Sequence, residues 1–475
     1  MEKKNNLITN FNSTEEYKKA LIKAELYFPA PSKGSFILPP KGYSLWRNIQ
    51  KNLEKKLLKH EIKNVLLPTF IPLSLFIKEQ QHIEGFEPEF FLIEKKNPKK
   101  DEKNRVVLRP TSEVLFYDWY RQILQSYQQL PFIHNQWCSA FRAEKNTSPF
   151  LRNTEFFWQE GHSIHATEDE AQRFITSVEK SYQSFIKKTL NLATISGKKS
   201  QKEKFSGALF SYTIECLLPD GQCLQLATFH YFGNNFCKSL GVKFFNDKNQ
   251  IQHPFSTSWG TSTRLIGAIT KTHQDKWGIV LPFEVSPIQF AFILISNDKK
   301  LIEHYKKIRS FLDSRYRCQL YCHSSQTSSN LTQSDKEGVP LKIIIGQEEV
   351  INNSLTLIRR GDLDKLKIIL KDKRSFLKII KKEIELSKKA LYQKNKLFLG
   401  ERIFIIKKKE DLEKKKENIG LFIFFFCNRL ECENKINRQE FFNYSIRCLK
   451  ETKNKNPCVF CNIYTKNRAY FGRSF

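Results

Sequence analysis

Apolar positions along the chain follow two periods, and the places where one gives way to the other outline its organisation. From Tyr43 to His60, the residues Leu45, Trp46, Ile49, Leu53, Leu57 and Leu58 recur at helical spacing. That spacing gathers them on one stripe of an amphipathic helix. Ser13-Thr14-Glu15-Glu16 predicts the start of an earlier helix, its side-chain oxygens capping free N–H groups. Residues 1–60 therefore read as helix, turn, helix, broken at Pro39-Pro40-Lys41-Gly42. Val65-Leu66-Leu67 reads as a short buried strand ending at Pro68, and Pro72 is expected to keep the next residues out of a regular ladder.

Between 105 and 290 the pattern turns to short apolar runs separated by turns. These are Val106 to Leu108, Phe141, Phe156-Phe157, Tyr212 to Ile214, Leu224 to Phe229 and Gly278 to Leu281. Glu113 to Gln128 and Glu168 to Leu190 keep helical spacing. Strands predominate without regular strand–helix alternation, which predicts an α+β domain built on an antiparallel sheet with flanking helices. Neither G-x-G-x-x-G nor G-x-x-x-x-G-K-[ST] occurs, so the usual phosphate loops are excluded. From Ser286 the alternation changes. Phe290 to Ser296, Cys318 to Cys322, Lys342 to Ile345 and Leu355 to Ile358 read as strands, and Lys299 to Tyr316 as a basic helix. That β-α-β order suits a small α/β domain. The polar tract Ser324 to Ser334 reads as a loop, and Asp362 to Gly420 as mostly helix. The expected domains are 1–285, 286–385 and 386–475.

Charge then narrows the possible partners. Lys plus Arg is 79 against 49 Asp plus Glu, a net charge of +30. Such an excess favours nucleic acid or an acidic membrane face. Forty Phe and one Met also fit a codon bias that would enrich Lys with no partner at all. With 40% hydrophobic and 27% charged residues, wholesale disorder is excluded. Eleven cysteines, an odd number in a chain of 475 residues, do not make a disulfide scaffold. A reducing, cytoplasmic compartment is expected. Apolar runs such as Ile288 to Ile295 and Leu421 to Phe426 are strand-sized, so no membrane span is expected. Glu2, Glu15, Glu16 and Glu25 argue against a transit peptide.

Several constellations carry candidate chemistry. Arg142-Ala143-Glu144, a polar loop, and Pro149-Phe150-Leu151-Arg152 would let two rigid guanidinium forks clamp a polyphosphate. Two surface arginines in a hairpin would leave the same pattern. In Trp158-Gln159-Glu160-Gly161-His162, a strand puts Trp158, Glu160 and His162 on one face, which suits a small ligand with an amine or a partly buried strand. Arg109 to Glu113 pairs a turn with Ser112 as a candidate helix cap. Trp259 to Arg264 precedes an apolar run ready to start a helix, where an arginine suits phosphate or a flat base. Cys427-x4-Cys432 and Cys458-x2-Cys461, 25 residues apart, form a four-thiolate pattern for a closed, structural zinc site.

In this order and spacing the segments resemble the class II aminoacyl-tRNA synthetases, specifically the prolyl-tRNA synthetases of archaeal and eukaryotic type. The resemblance runs from Tyr27 to Phe475. Gly42 to Trp46 matches the first class II motif. Asn135 to Arg152, continuing to His162, matches the second, and Trp259 to Gly267 the third. Leu108 to Glu113 supplies L-R-P-T-S-E. The W-Q-E-G-H stretch argues against the alternative of a threonyl or seryl ligase, and intact Arg142, Glu144, Arg152 and Arg264 argue against the other alternative, a non-catalytic RNA-binding paralogue, which Phe229 leaves open. The resemblance implies an ATP-dependent proline–tRNA ligase with an α/β anticodon-binding domain and a small α+β zinc-binding C-terminal domain. Its implied partners are tRNA(Pro), proline and ATP, and its implied assembly is a homodimer.

By the same resemblance Arg142 and Arg264 are the catalytic residues, Arg142 binding both the α-phosphate and the amino-acid carboxylate. Glu144 reads the adenine amino group, and Arg152 holds the outer phosphates. Phe156 and Arg264 sandwich the adenine. Asn153 and Ser262 also contact ATP. Thr111, Glu113, Arg142, Trp158, Glu160, His162 and His230 form the proline pocket. Gln225 and Thr228 contact ATP, with Gln225 on Mg²⁺, and Cys427, Cys432, Cys458 and Cys461 bind Zn²⁺. Departures from the family pattern are Phe229 for a usual Ser, Ala227 for a frequent Gly, Leu209-Phe210 for Asp-Tyr, Asn153 for a frequent Thr, and Phe475 for Tyr. Only 96 residues separate His162 from Trp259, which leaves no room for the editing domain that some relatives insert there.

Overall fold

The computed structural model describes residues 13–82, 90–94, 105–322, 327–415, 417–436, 441 and 443–475. Glu2, invoked above on targeting, lies outside them. Helix α1 (Thr14–Lys23) starts where Ser13 accepts a hydrogen bond from the Glu16 N–H. Helix α2 (Pro40–Leu57) opens on a proline, which has no N–H to leave unpaired at a helix start. It buries Leu45, Trp46, Ile49, Leu53 and Leu57. Helix α3 (Glu113–Ile123) follows the L-R-P-T-S segment, and Arg109 ties that segment down by donating to the carbonyls of Ser139, Leu67 and Pro68. Helix α4 (Glu168–Thr189), capped by Thr167, lays Ile175, Val178, Tyr182 and Phe185 behind the sheet. Helix α5 (Arg264–Thr272) begins within the third motif.

The strands of the main sheet are β1 (Lys63–Asn64), β2 (Phe132–Phe141), β3 (Glu155–His165), β4 (Ile195–Lys198), β5 (Phe210–Leu217), β6 (Gln222–Gly233) and β7 (Phe255–Ser262). Those from β2 to β7 pair antiparallel, as expected for the α+β class. The second unit holds five strands: β8 (Phe290–Leu294), β9 (Cys318–Tyr321), β10 (Leu341–Ile345), β11 (Ser354–Arg359) and β12 (Lys365–Ile369). They form one mixed sheet with helix α6 (Lys299–Phe311) against it. The chain ends in β13 (Ile403–Ile405), β14 (Leu421–Phe425), β15 (Tyr444–Pro457) and β16 (Tyr464–Ser474), which extend the main sheet to eleven strands in the order β13-β14-β16-β15-β4-β5-β6-β7-β3-β2-β1. A 29-residue helix, Lys373–Glu401, leads into them. It buries Phe376, Ile380 and Ile384 in the core of the second unit and Phe398 beside Leu421 and Cys448 in that of the tail.

Several local expectations are corrected. Val65-Leu66-Leu67 is not a strand: pairing stops at Asn64, and Leu66 is 77% exposed. Phe70–Pro72 does form a ladder, antiparallel to Val106–Leu108. It is three residues long, and the chain turns straight into a helix at Leu73. Gly278 to Leu281 pairs only at Gly278–Ile279. The helix from Glu113 stops at Ile123, where Leu124 turns extended, and the helix from Lys299 stops at Phe311 for the same reason at Leu312. The described part of the Ser324–Ser334 tract is helical, within Thr327–Lys336. Its buried side is polar, with Asn330 and Ser334, so no apolar stripe announces it.

Candidate active site

The site lies on one face of the main sheet, and strand register assembles it. Gln136 on β2, Glu160 on β3, Gly260 on β7, Thr228 on β6 and Thr213 on β5 are successive cross-strand partners. The neighbouring row reads His134, His162, Ser258, His230 and Ser211. Side chains two apart share a face, so these rows stack carboxylate, imidazole and hydroxyl groups on one floor. The other face is core. Trp259 seats its ring where a Cβ on Gly161 would come within 2.2 Å, which is why glycine stands between Glu160 and His162. A cavity of about 550 Å³ opens above the floor. Every residue expected at the active site lines it: Thr111, Glu113, Arg142, Glu144, Arg152, Asn153, Phe156, Trp158, Glu160, His162, Gln225, Thr228, His230, Ser262 and Arg264.

One end of the cavity is acidic. Glu160 Oε1 accepts from Gln136 Nε2 at 2.6 Å, and Oε2 accepts from the Ser112 N–H at 3.2 Å and lies 3.6 Å from His162 Nε2. Burial alone would raise this carboxyl, but the hydrogen bonds from His162, Ser112 and Gln136 outweigh it and hold the pKa below its ordinary value. Glu113 behaves oppositely. Its Oε1 accepts from Ser258 Oγ at 3.3 Å, while Oε2 is buried with no hydrogen-bond partner among the described residues. Burial, reinforced by Glu160 and partly offset by His162, pushes its pKa up to about 7. His162 stacks on Phe116 at 4.2 Å. Trp158 Nε1 donates to Cys138 Sγ at 3.1 Å. His230 accepts or donates through Nδ1 to Ser211 Oγ at 2.7 Å, and burial, with Lys199 and His162 nearby, lowers its pKa to about 3, leaving a neutral ring.

The other end is basic. Arg142 follows the last residue of β2 and lies 5.3 Å and 5.8 Å from the Phe156 and Trp158 ring centres. Arg264 Nε donates to the Leu151 carbonyl at 2.9 Å, which aims the guanidinium across the second-motif loop. Burial, with Arg142 and Arg152 beside it, lowers the Arg264 pKa to about 10. Arg152 lies 3.8 Å from Glu144 and donates to the Phe475 carbonyl at 3.5 Å. Guanidinium groups crowded this closely suit a polyanion that would separate and satisfy them.

Far from this cavity in the chain, the sulfurs of Cys427, Cys432, Cys458 and Cys461 all lie within 4.8 Å of one another. Four sulfurs about 2.3 Å from a central ion in a tetrahedron would stand roughly 3.8 Å apart. Cys461 and Cys427 are 3.7 Å apart, so the group can hold a metal ion. Cys448 is buried in a separate cluster with Leu217 and Leu421.

Residues 91–273 match the tRNA synthetase class II core domain (G, H, P, S and T), and residues 289–382 match an anticodon-binding domain. The proline–tRNA ligase of Mycoplasma capricolum is 39% identical over an alignment of 488 positions, gaps included, covering all of both chains. Proline–tRNA ligase 2 of Bacillus cereus is 36% identical over 97% of this chain and 96% of its own. The prolyl-tRNA synthetase of Cryptosporidium parvum, solved with L-proline and AMP, superposes with a TM-score of 0.90 at 27% identity, covering 99% of this chain and 97% of that one. The chain belongs to the proline–tRNA ligases of class II. Among proline–tRNA ligase departures, Phe229 is fully buried and packs edge-on to Tyr182 at 5.2 Å. Strand alternation turns it away from the cavity and leaves Thr228 and His230 facing in. Leu209 lies outside the cavity lining.

Sequence reasoning missed Lys199, Glu203, Phe205 and Ser258, which line the same cavity. Ser258 was recoverable, because it lies two residues before Gly260 and four before Ser262 on one strand face. Lys199 follows a four-residue strand with no distinctive pattern.

Proposed function

We propose that the chain activates proline with ATP and transfers it to the 3′ end of tRNA(Pro). One observation carries the reading: a single cavity with a buried carboxylate oxygen that has no hydrogen-bond partner among the described residues at one end, and three arginines at the other. Glu113 Oε2 is the natural acceptor for the secondary amine of proline. Thr111, Trp158, Glu160, His162 and His230 close around its ring. Arg142, the arginine of the basic end that also faces Glu160 and Glu113, holds the carboxylate against the α-phosphate. Attack of that carboxylate on the α-phosphorus forms the mixed anhydride and releases pyrophosphate, and Arg142 and Arg264 neutralise the charge that develops. No covalent enzyme intermediate is required; positioning and electrostatics supply the rate. Glu144, Arg152, Asn153, Phe156, Gln225, Thr228 and Ser262 hold the nucleotide.

Mg²⁺ takes oxygen ligands and binds largely through substrate phosphates. Gln225, whose side-chain amide has no hydrogen bond among the described residues, fits such a role. Zn²⁺ fits the four cysteine sulfurs, where it would cross-link the tail and take no part in the chemistry. The functional units are 1–285, 286–385 and 386–475. The net charge of +30 suits tRNA, whose binding is strongly electrostatic. Exposed Phe28, Ile37 and Tyr43 around the start of α2 support a homodimer. Eleven free cysteines suit the cytoplasm. ATP–pyrophosphate exchange with each amino acid in turn tests the assignment: proline must support the highest rate, and a higher rate with threonine or serine would overturn it.

A further inference from the structure

The C-terminal strands carry a buried charge that the site as described does not use. Arg447 lies in β15 where the pairing with β16 slips, between Ile446–Phe471 and Cys448–Tyr470, so it is the extra residue of a bulge. Glu215 lies on β5 beside a second slip, between Ile214–Ala227 and Glu215–Gln225. Bulges re-aim side chains and gather near active sites. Here two of them turn an arginine and a glutamate toward each other across the seam between the tail and the catalytic strands. Arg447 Nε donates to Glu215 Oε2 at 2.7 Å, and its Nη1 donates to Ser445 Oγ at 3.0 Å and Ser474 Oγ at 2.7 Å. Glu215 Oε1 accepts from Thr213 Oγ1 at 3.1 Å. Glu215 is fully buried, and Arg447 is 8% exposed.

Register fixes what this pair stands beside. Glu215 is the cross-strand partner of Gln225, and Thr213 that of Thr228. The carboxylate therefore shares a sheet face with the two β6 side chains assigned to the nucleotide. A negative charge there opposes a triphosphate unless it is neutralised. We propose that Arg447 is a positioning residue for ATP. By neutralising and orienting Glu215, it lets Gln225 and Thr228 face the phosphates, and so makes the nucleotide end of the site depend on the tail. The proposal rests on the cavity being the ATP site. Losing the arginine takes from a buried carboxylate the guanidinium hydrogen-bonded to it at the nucleotide end and leaves the proline end untouched.

The test is pyrophosphate exchange by the full chain, with ATP and proline varied separately, in the parent, Arg447→Gln and the double variant Arg447→Gln/Glu215→Gln. The single variant is expected to raise the KM for ATP by about tenfold or more, with the KM for proline unmoved. The double variant, which removes the stranded charge, is expected to recover most of that loss. Should the single variant fail to fold, the neutral pair of the double variant still reports, and its ATP KM must lie near the parent's. An equal rise in both constants, or a double variant as poor for ATP as the single, overturns the proposal. A parent that does not exchange with proline overturns the cavity assignment instead, so the two failures are distinguishable.

Discussion

Arg142 is held lightly by the protein and aimed at the cavity. Among the described residues its guanidinium hydrogen-bonds only to the Pro110 carbonyl, at 3.3 Å and 3.4 Å, and lies against the two aromatic faces. Replacing it by alanine should leave the circular dichroism and melting of the protein nearly unchanged. Adenylate formation should fall by on the order of 3 kcal/mol, the size of a lost transition-state contact. Exchange within about tenfold of the parent, roughly 1.4 kcal/mol, would remove Arg142 from the role. Glu113 makes a second prediction through pH. Burial raises its carboxyl from 4.5 to about 7, so the ligand-free native state keeps a proton that the unfolded chain releases near the ordinary value. Stability of the free protein should therefore fall as pH rises from 4.5 to about 7. The cationic amine of proline pairs with the ionised form, so the KM for proline should fall over the window from about pH 6 to 8, by about tenfold. Glu113→Gln should flatten both profiles, and a proline KM that is level or rises with pH in the parent would sink the assignment.

At the scale of elements, legibility followed periodicity. Helix α2 and helix α4 could be read because their apolar stripes face a large core, and β3 because the apolar pair Phe156-Phe157 leads into W-Q-E-G-H. The helix Thr327–Lys336 could not, because it buries Asn330 and Ser334, residues that elsewhere mark turns. Phe229 looked like a defect in a binding segment. Only the register of β6, which pairs it with Trp259 on the core face, shows that it fills the interior. In the tail, the paired spacing of the cysteines could be read, and the fold brings the two pairs together. Cys427 follows β14, Cys432 lies in a short helix, and Cys458 and Cys461 sit at the turn between β15 and β16. One zinc per chain is expected by elemental analysis. Chelation should speed amide exchange first in β14 to β16, with β2, β3 and β7 protected longer. A zinc-free preparation with all four thiols freely titratable would contradict the site.

At the scale of the whole molecule, the units are joined by more than linkers. Arg360, 1% exposed, donates to both Asp275 carboxylate oxygens at 2.8 Å and 2.7 Å, tying the strand after α5 to the second unit. Asn395 of the long helix accepts from the Ala193 N–H at 2.6 Å. The same economy limits what the chain can do about errors. A pocket that admits proline cannot exclude the smaller alanine by clash; each missing methylene weakens binding by only about 1–3 kcal/mol. Correction would need a second, hydrolytic site. The 96 residues between His162 and Trp259 are taken up by α4, β4 to β6, the helix Asn235–Ser239 and a short hairpin, with the strands paired into the catalytic sheet. The enzyme is therefore expected to charge alanine onto tRNA(Pro) slowly but measurably, and to leave the product intact. Incubating it with preformed alanyl-tRNA(Pro) is the check. Deacylation at the spontaneous rate is expected, and hydrolysis well above that rate would mean that an editing site exists elsewhere on these strands.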